Sequence, residues 1–155
     1  MKYIWWSLLL LLGSCQPKDC CTIIDTNVGI GYRDAQGRDW LRVNRVTAAN
    51  MEVYSLHDGV KTRLYNQWAD APKSIVVSIS TDTTLSTFTL YPSGTAEANG
   101  EALTLLEFPD HSVDTVRCRF ENRGSSSHCV NVRYNNRQCW NNQSRAGGRY
   151  FKVVK

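Results

Sequence analysis

The chain has 155 residues, with 18 Lys and Arg against 14 Asp and Glu, a formal net charge of +4. That length suits one folded domain with a core of its own, and so mild a charge excess names no partner. No apolar run reaches the roughly 20 residues that a membrane-spanning helix needs.

The first segment is an export signal by composition. A positive start, Met1-Lys2, leads into the apolar run from Tyr3 to Leu12, then the small pair Gly13-Ser14 and Cys15, with Pro17, Lys18 and Asp19 closing it. The residues Leu12-Gly13-Ser14-Cys15 resemble the bacterial lipobox. That resemblance implies that residues 1–14 are a cleaved signal peptide and that Cys15 is diacylglycerylated and then acylated on its new amine. It makes residues 15–21 a lipidated cysteine and tether. Two or three acyl chains anchor stably where one does not. Gln16, rather than Asp, follows the modified cysteine. In Gram-negative sorting this implies the outer membrane, with the leaflet left open. Residues 16–21 cannot span more than about 20 Å, so the domain is expected to sit close to its membrane.

From residue 22 to 155 the pattern is short alternating runs rich in Val, Ile, Thr, Tyr and Phe, so the domain reads as all-β. Thr22 to Tyr32 comes first, with Val28, Ile30 and Tyr32 on one face because strand side chains alternate. Asp34-Ala35-Gln36-Gly37 is a type I turn, and Trp40, Leu41 and Val43 suggest a short return strand. Asp58-Gly59 is the strongest hairpin signal and sets Tyr54 opposite Arg63. Further strands are expected at 74–80 (Ile75, Val77 and Ile79 inward), 85–91, 101–108 and 113–121 (Val116, Cys118 and Phe120 inward). After these come 129–134, 137–140 beyond the Asn135-Asn136 turn, and 149–154. Pro72, Pro92 and Pro109 fall between runs. Nine or ten strands at this spacing predict a single antiparallel β-sandwich of immunoglobulin-like architecture, with a barrel as the alternative.

Chemistry is sparse. No Gly-x-Ser-x-Gly elbow, His-Glu-x-x-His, phosphate loop or dinucleotide fingerprint is present. Adjacent pairs such as Cys20-Cys21 and His128-Cys129 lack the spacing of zinc ligands, so no metal or cofactor is expected. An oxidising compartment favours disulfides. Cys118 with Cys129 is the expected pair, although Cys129 is out of phase with Val130, Val132 and Tyr134, so a bulge is required. Cys20 or Cys21 with Cys139 is a weaker second bridge.

Two binding features remain. Trp68 lies in the loop Asn66-Gln67-Trp68-Ala69-Asp70-Ala71-Pro72 and is the best candidate for an exposed aromatic contact, beside Trp40, Trp140, Tyr65 and Tyr91. From Val113 onward, seven Arg (117, 119, 123, 133, 137, 145, 149) with Lys152 and Lys155 face only Asp114 and Glu121. Arg117, Arg119 and Arg133 point outward on predicted strands, and their planar forks suit carboxylate or phosphate.

The whole chain resembles the small all-β envelope lipoproteins of Gram-negative bacteria whose function is undefined. The resemblance implies a lipid-anchored protein with a non-enzymatic binding or structural role, its partner a protein, a glycan or an anionic lipid and not a nucleic acid. The alternative is a small envelope enzyme acting on glycan or cell-wall material.

Overall fold

A computed structural model describes residues 24–81, 85–94, 96–123, 126–143 and 148–155. The expected signal peptide and tether, with Cys15, Cys20 and Cys21, lie outside the described residues, as do Gly124 and Arg145.

Eleven strands are described: β1 (Ile24–Asp25), β2 (Val28–Arg33), β3 (Glu52–His57), β4 (Val60–Arg63), β5 (Ile75–Ser78), β6 (Thr87–Leu90), β7 (Glu101–Glu107), β8 (Val113–Arg123), β9 (Ser126–Tyr134), β10 (Arg137–Asn141) and β11 (Tyr150–Val154). One sheet runs β1-β9-β8-β7-β3-β4, with β10 also on β9; the other runs β11-β2-β6-β5. The two sheets enclose one core as an all-β sandwich, and neither closes into a barrel. Both are mixed rather than antiparallel, because β1 pairs parallel with β9 and β11 parallel with β2.

The core follows from strand alternation. Val28, Ile30 and Tyr32 on β2 are fully buried, with Phe88 and Leu90 on β6, and they face Val53, Leu106, Val116, Cys118 and Val132 of the larger sheet. Tyr32 sits at the centre, its ring 5.5–6.3 Å from those of Trp40, Phe88, Phe108 and Tyr134. Ile75 and Val77 point inward as expected, but Ile79 lies beyond the end of β5 and is 41% exposed.

The expected return strand at Trp40 is instead a one-turn helix, α1 (Trp40–Val43). Asp39 caps it, accepting the Arg42 N–H at 3.2 Å, and Trp40 and Leu41 are buried side by side. A strand would have sent two consecutive side chains to opposite faces.

Two type I′ turns are made where Asp-Gly and Asn-Asn occur. Asp58 and Gly59 have φ of 49° and 78°, and Asn135 and Asn136 of 46° and 67°, the left-handed values that such turns require. Tyr54 then pairs with Arg63, and Tyr134 with Arg137.

Between β8 and β9 the register shifts by one residue. Arg119 pairs with Asn131 but Phe120 pairs with Cys129, so Val130 is the extra residue of a β-bulge. The bulge turns Cys129 inward to the side of Cys118, where both are buried, and the Cys129 thiol lies 3.6 Å from the Asn131 carbonyl. No disulfide forms among the described residues: Cys118, Cys129 and Cys139 are all free. Cys118 pairs with Val132 and Cys129 with Phe120, so the expected partners are diagonal neighbours rather than directly opposed, a placement less suited to a disulfide.

One buried polar cluster ties the sheets together. Asp114 on β8 accepts hydrogen bonds from the Tyr134 hydroxyl, from Asn135 Nδ2 at 2.8 Å and from Lys155 Nζ at 2.5 Å. Lys155 follows β11, and its ammonium also lies 4.1 Å from the centre of the Phe108 ring.

Candidate functional site: the outer face of the larger sheet at β8, β9 and β10

On β8 the side chains of Val116, Cys118 and Phe120 turn inward, so Arg117 and Arg119 turn outward. Pairing across the sheet then assembles two rows. Arg117 stands opposite Arg133, which stands opposite Gln138 on β10. Arg119 stands opposite Asn131, which stands opposite Asn141. The irregular register at Cys139 in β10 keeps both Gln138 and Asn141 on this face, and sends Trp140 inward opposite Val132.

The three predicted arginines are thus brought together. Arg119 and Arg133 are exposed and Arg117 half-buried. None of the three makes an ion pair or a side-chain hydrogen bond among the described residues. The cations of β4, on the same sheet, are matched. Arg63 holds Glu52 at 2.6 Å and 2.9 Å, Lys73 holds the same carboxylate at 2.9 Å, and Lys61 approaches Glu107 at 3.4 Å. The Arg63 hydrogen bond is the main reason the Glu52 carboxyl lies below the usual carboxylate range, burial opposing it and Lys73 adding to it. Arg119 stands opposite Glu101 on β7, so the contrast isolates Arg117 and Arg133 as the arginines of this face with no carboxylate opposed to them.

Beside them is a groove of about 480 Å³ walled by Arg119, Glu121, Asn131, Gln138, Asn141, Asn142 and Gln143, with Val130 the sole apolar member. Asn141 is committed in part, accepting the Gln143 N–H at 3.1 Å. The side-chain amides of Asn131, Gln138, Asn142 and Gln143 make no hydrogen bond among the described residues. Each offers a carbonyl acceptor and an NH₂ donor. The groove therefore presents paired donors and acceptors next to cationic forks, which is the chemistry that recognises hydroxyls and carboxylates together.

Sequence reasoning found the arginines from their charge but missed the amides. Six of the nine residues from 135 to 143 are Asn or Gln, which is a visible signal. Which of them share a face, however, depends on the bulge at Val130 and the irregularity at Cys139.

The aromatic candidates are dispersed. Trp68 is 87% exposed, in a loop held by Asn66 N–H to the Pro72 carbonyl at 2.8 Å, and follows β4, the edge of the sheet farthest from β10. Tyr65, under Arg63, and Tyr91 are exposed, whereas Trp40 is buried and Trp140 packs on the core. These residues make no common platform.

Among the described residues no group of three or more His, Cys, Asp or Glu side chains is placed to hold a metal ion. No described helix is long and apolar enough to cross a membrane. Compared with protein-family models, with curated proteins and with solved structures, the chain matches none.

Proposed function

We propose that this is a lipid-anchored envelope protein whose outer β8–β9–β10 face binds an acidic glycan, a saccharide chain carrying carboxylate groups, without catalysis. The observation that carries the reading is the Arg117–Arg133 pair, two like charges directly opposed on neighbouring strands with no carboxylate partner. Such a pair costs stability, roughly 0.2–1 kcal/mol relative to neutral neighbours, so its placement calls for an external anion. The adjacent amides supply the complementary contacts for sugar hydroxyls. The lipobox resemblance at Leu12-Gly13-Ser14-Cys15 supports the anchored location.

The test uses the full lipidated protein in detergent, titrated with oligogalacturonate and with uncharged maltohexaose at moderate salt. Oligogalacturonate is expected to bind and maltohexaose to bind at least tenfold more weakly. Arg117→Gln with Arg133→Gln should remove most of that preference, and Asn131→Ala should weaken whatever binding remains. Equal affinity for the two sugars, or a preference untouched by the arginine variant, would overturn the reading.

A further inference from the structure

The outer face of the smaller sheet carries a second concavity, of about 630 Å³, that is unrelated to the glycan face. Its floor is set by glycine. Tyr150 on β11 pairs with Gly29, and its ring lies across β2, 3.0 Å from where a Cβ on Gly29 would be, with its hydroxyl occupying the place of a Cβ on Gly31. Any side chain at position 31 would displace that hydroxyl. The strand alternation that buries Ile30 and Tyr32 sends Arg33 to this same outer face, and Lys152 pairs with Gly31 between Tyr150 and Arg33.

The walls are cationic. Arg33, Arg38, Arg42 and Lys152 line the recess with one carboxylate, Asp39. That carboxylate is already engaged. It accepts Ser86 N–H at 2.7 Å, Ser86 Oγ–H at 2.5 Å and the Arg42 N–H of the helix cap. Burial works against its charge, but the Ser86 and Arg42 hydrogen bonds together hold it below the usual carboxylate range. Arg38 is likewise held by Asp34 at 2.6 Å. Arg33 is different: its Nε is buried and has no hydrogen-bond partner among the described residues. A buried donor of this kind without an acceptor is costly, and more so on a charged group. Tyr150 faces Arg33 and Asp39, and burial raises its hydroxyl above the ordinary tyrosine range, so it stays a donor at neutral pH.

We propose that this recess is a second binding site that takes a phosphate group carried on a small organic molecule, with Arg33, Lys152 and the Tyr150 hydroxyl as its donors. The cationic lining selects an anion, the unmatched Arg33 Nε–H needs an acceptor, and the volume leaves room for an organic group beyond the phosphate. The phosphate can arrive on a soluble ester or on a lipid headgroup, and the two sources are separable by experiment.

The ¹⁵N-labelled full protein in detergent is titrated with glycerol 3-phosphate, with short-chain phosphatidylglycerol and with inorganic phosphate, following the Arg33 Nε–H resonance. The organic phosphates are expected to shift it and to bind at least several-fold more tightly than inorganic phosphate. Tighter binding of glycerol 3-phosphate supports a soluble ester, and tighter binding of the phospholipid supports a headgroup. Arg33→Gln should weaken binding tenfold or more. Tyr150→Phe keeps the ring over the glycines and should weaken it a few-fold, and it carries the test if the arginine variant does not fold. Arg117→Gln with Arg133→Gln should leave phosphate affinity unchanged, which separates this site from the glycan face. An Arg33 resonance unmoved by all three ligands, inorganic phosphate binding as tightly as the organic phosphates, or affinity unchanged in Tyr150→Phe, would overturn the proposal.

Discussion

Arg133 shows how one side chain can be set against the stability of its own strand. It is exposed, it stands directly opposite Arg117, and it has no acidic partner among the described residues. Arg133→Gln is therefore expected to raise stability by roughly 0.2–1 kcal/mol, measured by urea denaturation, while lowering affinity for oligogalacturonate. Asp114 is the opposite case. It is 7% exposed and accepts from Tyr134, Asn135 and Lys155 at once. Asp114→Ala strands those donors inside the protein and should cost about 3–5 kcal/mol by the same measurement, whereas Arg119→Ala, on the exposed side of the same strand, should change stability little. Charge density made the arginines visible in the sequence. The part played by Asp114 was not, because it depends on Lys155 arriving from the other sheet.

At the scale of elements, the sequence was most legible where one local rule acts alone. Asp58-Gly59 and Asn135-Asn136 specify their turns through positive φ, and Val28, Ile30 and Tyr32 specify their face by alternation. It was least legible where a local rule met a competing one. Trp40 and Leu41 look like strand residues, yet the Asp39 cap and the burial of both side chains make a helical turn. The bulge was foreseen as a requirement of the cysteine pair and is present at Val130, although the thiols it brings together remain unbridged. Removing Val130 should therefore leave the faces of β9 as they are, because Asn131 and Cys129 already oppose the consecutive residues Arg119 and Phe120. Cys118 and Cys129 are expected to stay protected from iodoacetamide under native conditions in the deletion variant as in the parent protein, and a reactive Cys129 in the variant would show that the strand had slipped instead. Mass spectrometry of alkylated peptides reads the difference.

For the molecule as a whole, several carboxylates share one pH dependence. The Asp34, Asp39, Glu52 and Asp110 carboxyls all lie below their ordinary range. For Glu52 and Asp110 the leading cause is a side-chain hydrogen bond, from Arg63 and Ser112. For Asp34 and Asp39 burial opposes the charge, and the hydrogen bonds from Arg38 and from Ser86 with Arg42 outweigh it. A carboxyl with a lowered folded pKa contributes stability that is fully present above its unfolded value, about 4, and lost as pH falls through the folded one. Urea midpoints should accordingly hold steady down to about pH 5 and fall below about pH 4, less steeply in Asp39→Asn. The proposed lipid anchor is likewise tested on the entire chain. Mass spectrometry of the membrane fraction is expected to find Cys15 acylated and residues 1–14 absent; a dominant unmodified peptide joining Ser14 to Cys15 would count against it.

The parallel pairing of β11 with β2 sets a timetable for folding. β11 follows β2 by more than a hundred residues, and the two meet through five residue pairs from Tyr150–Gly29 to Val154–Arg33. Until β11 is delivered, one edge of β2 stays open, Phe151 is missing from the core and Asp114 waits for Lys155. Contacts so distant in sequence form slowly, because a long loop must close before they gain anything. A chain wired in this way keeps its smaller sheet unlatched until β11 docks, and the same event completes the buried cluster around Asp114.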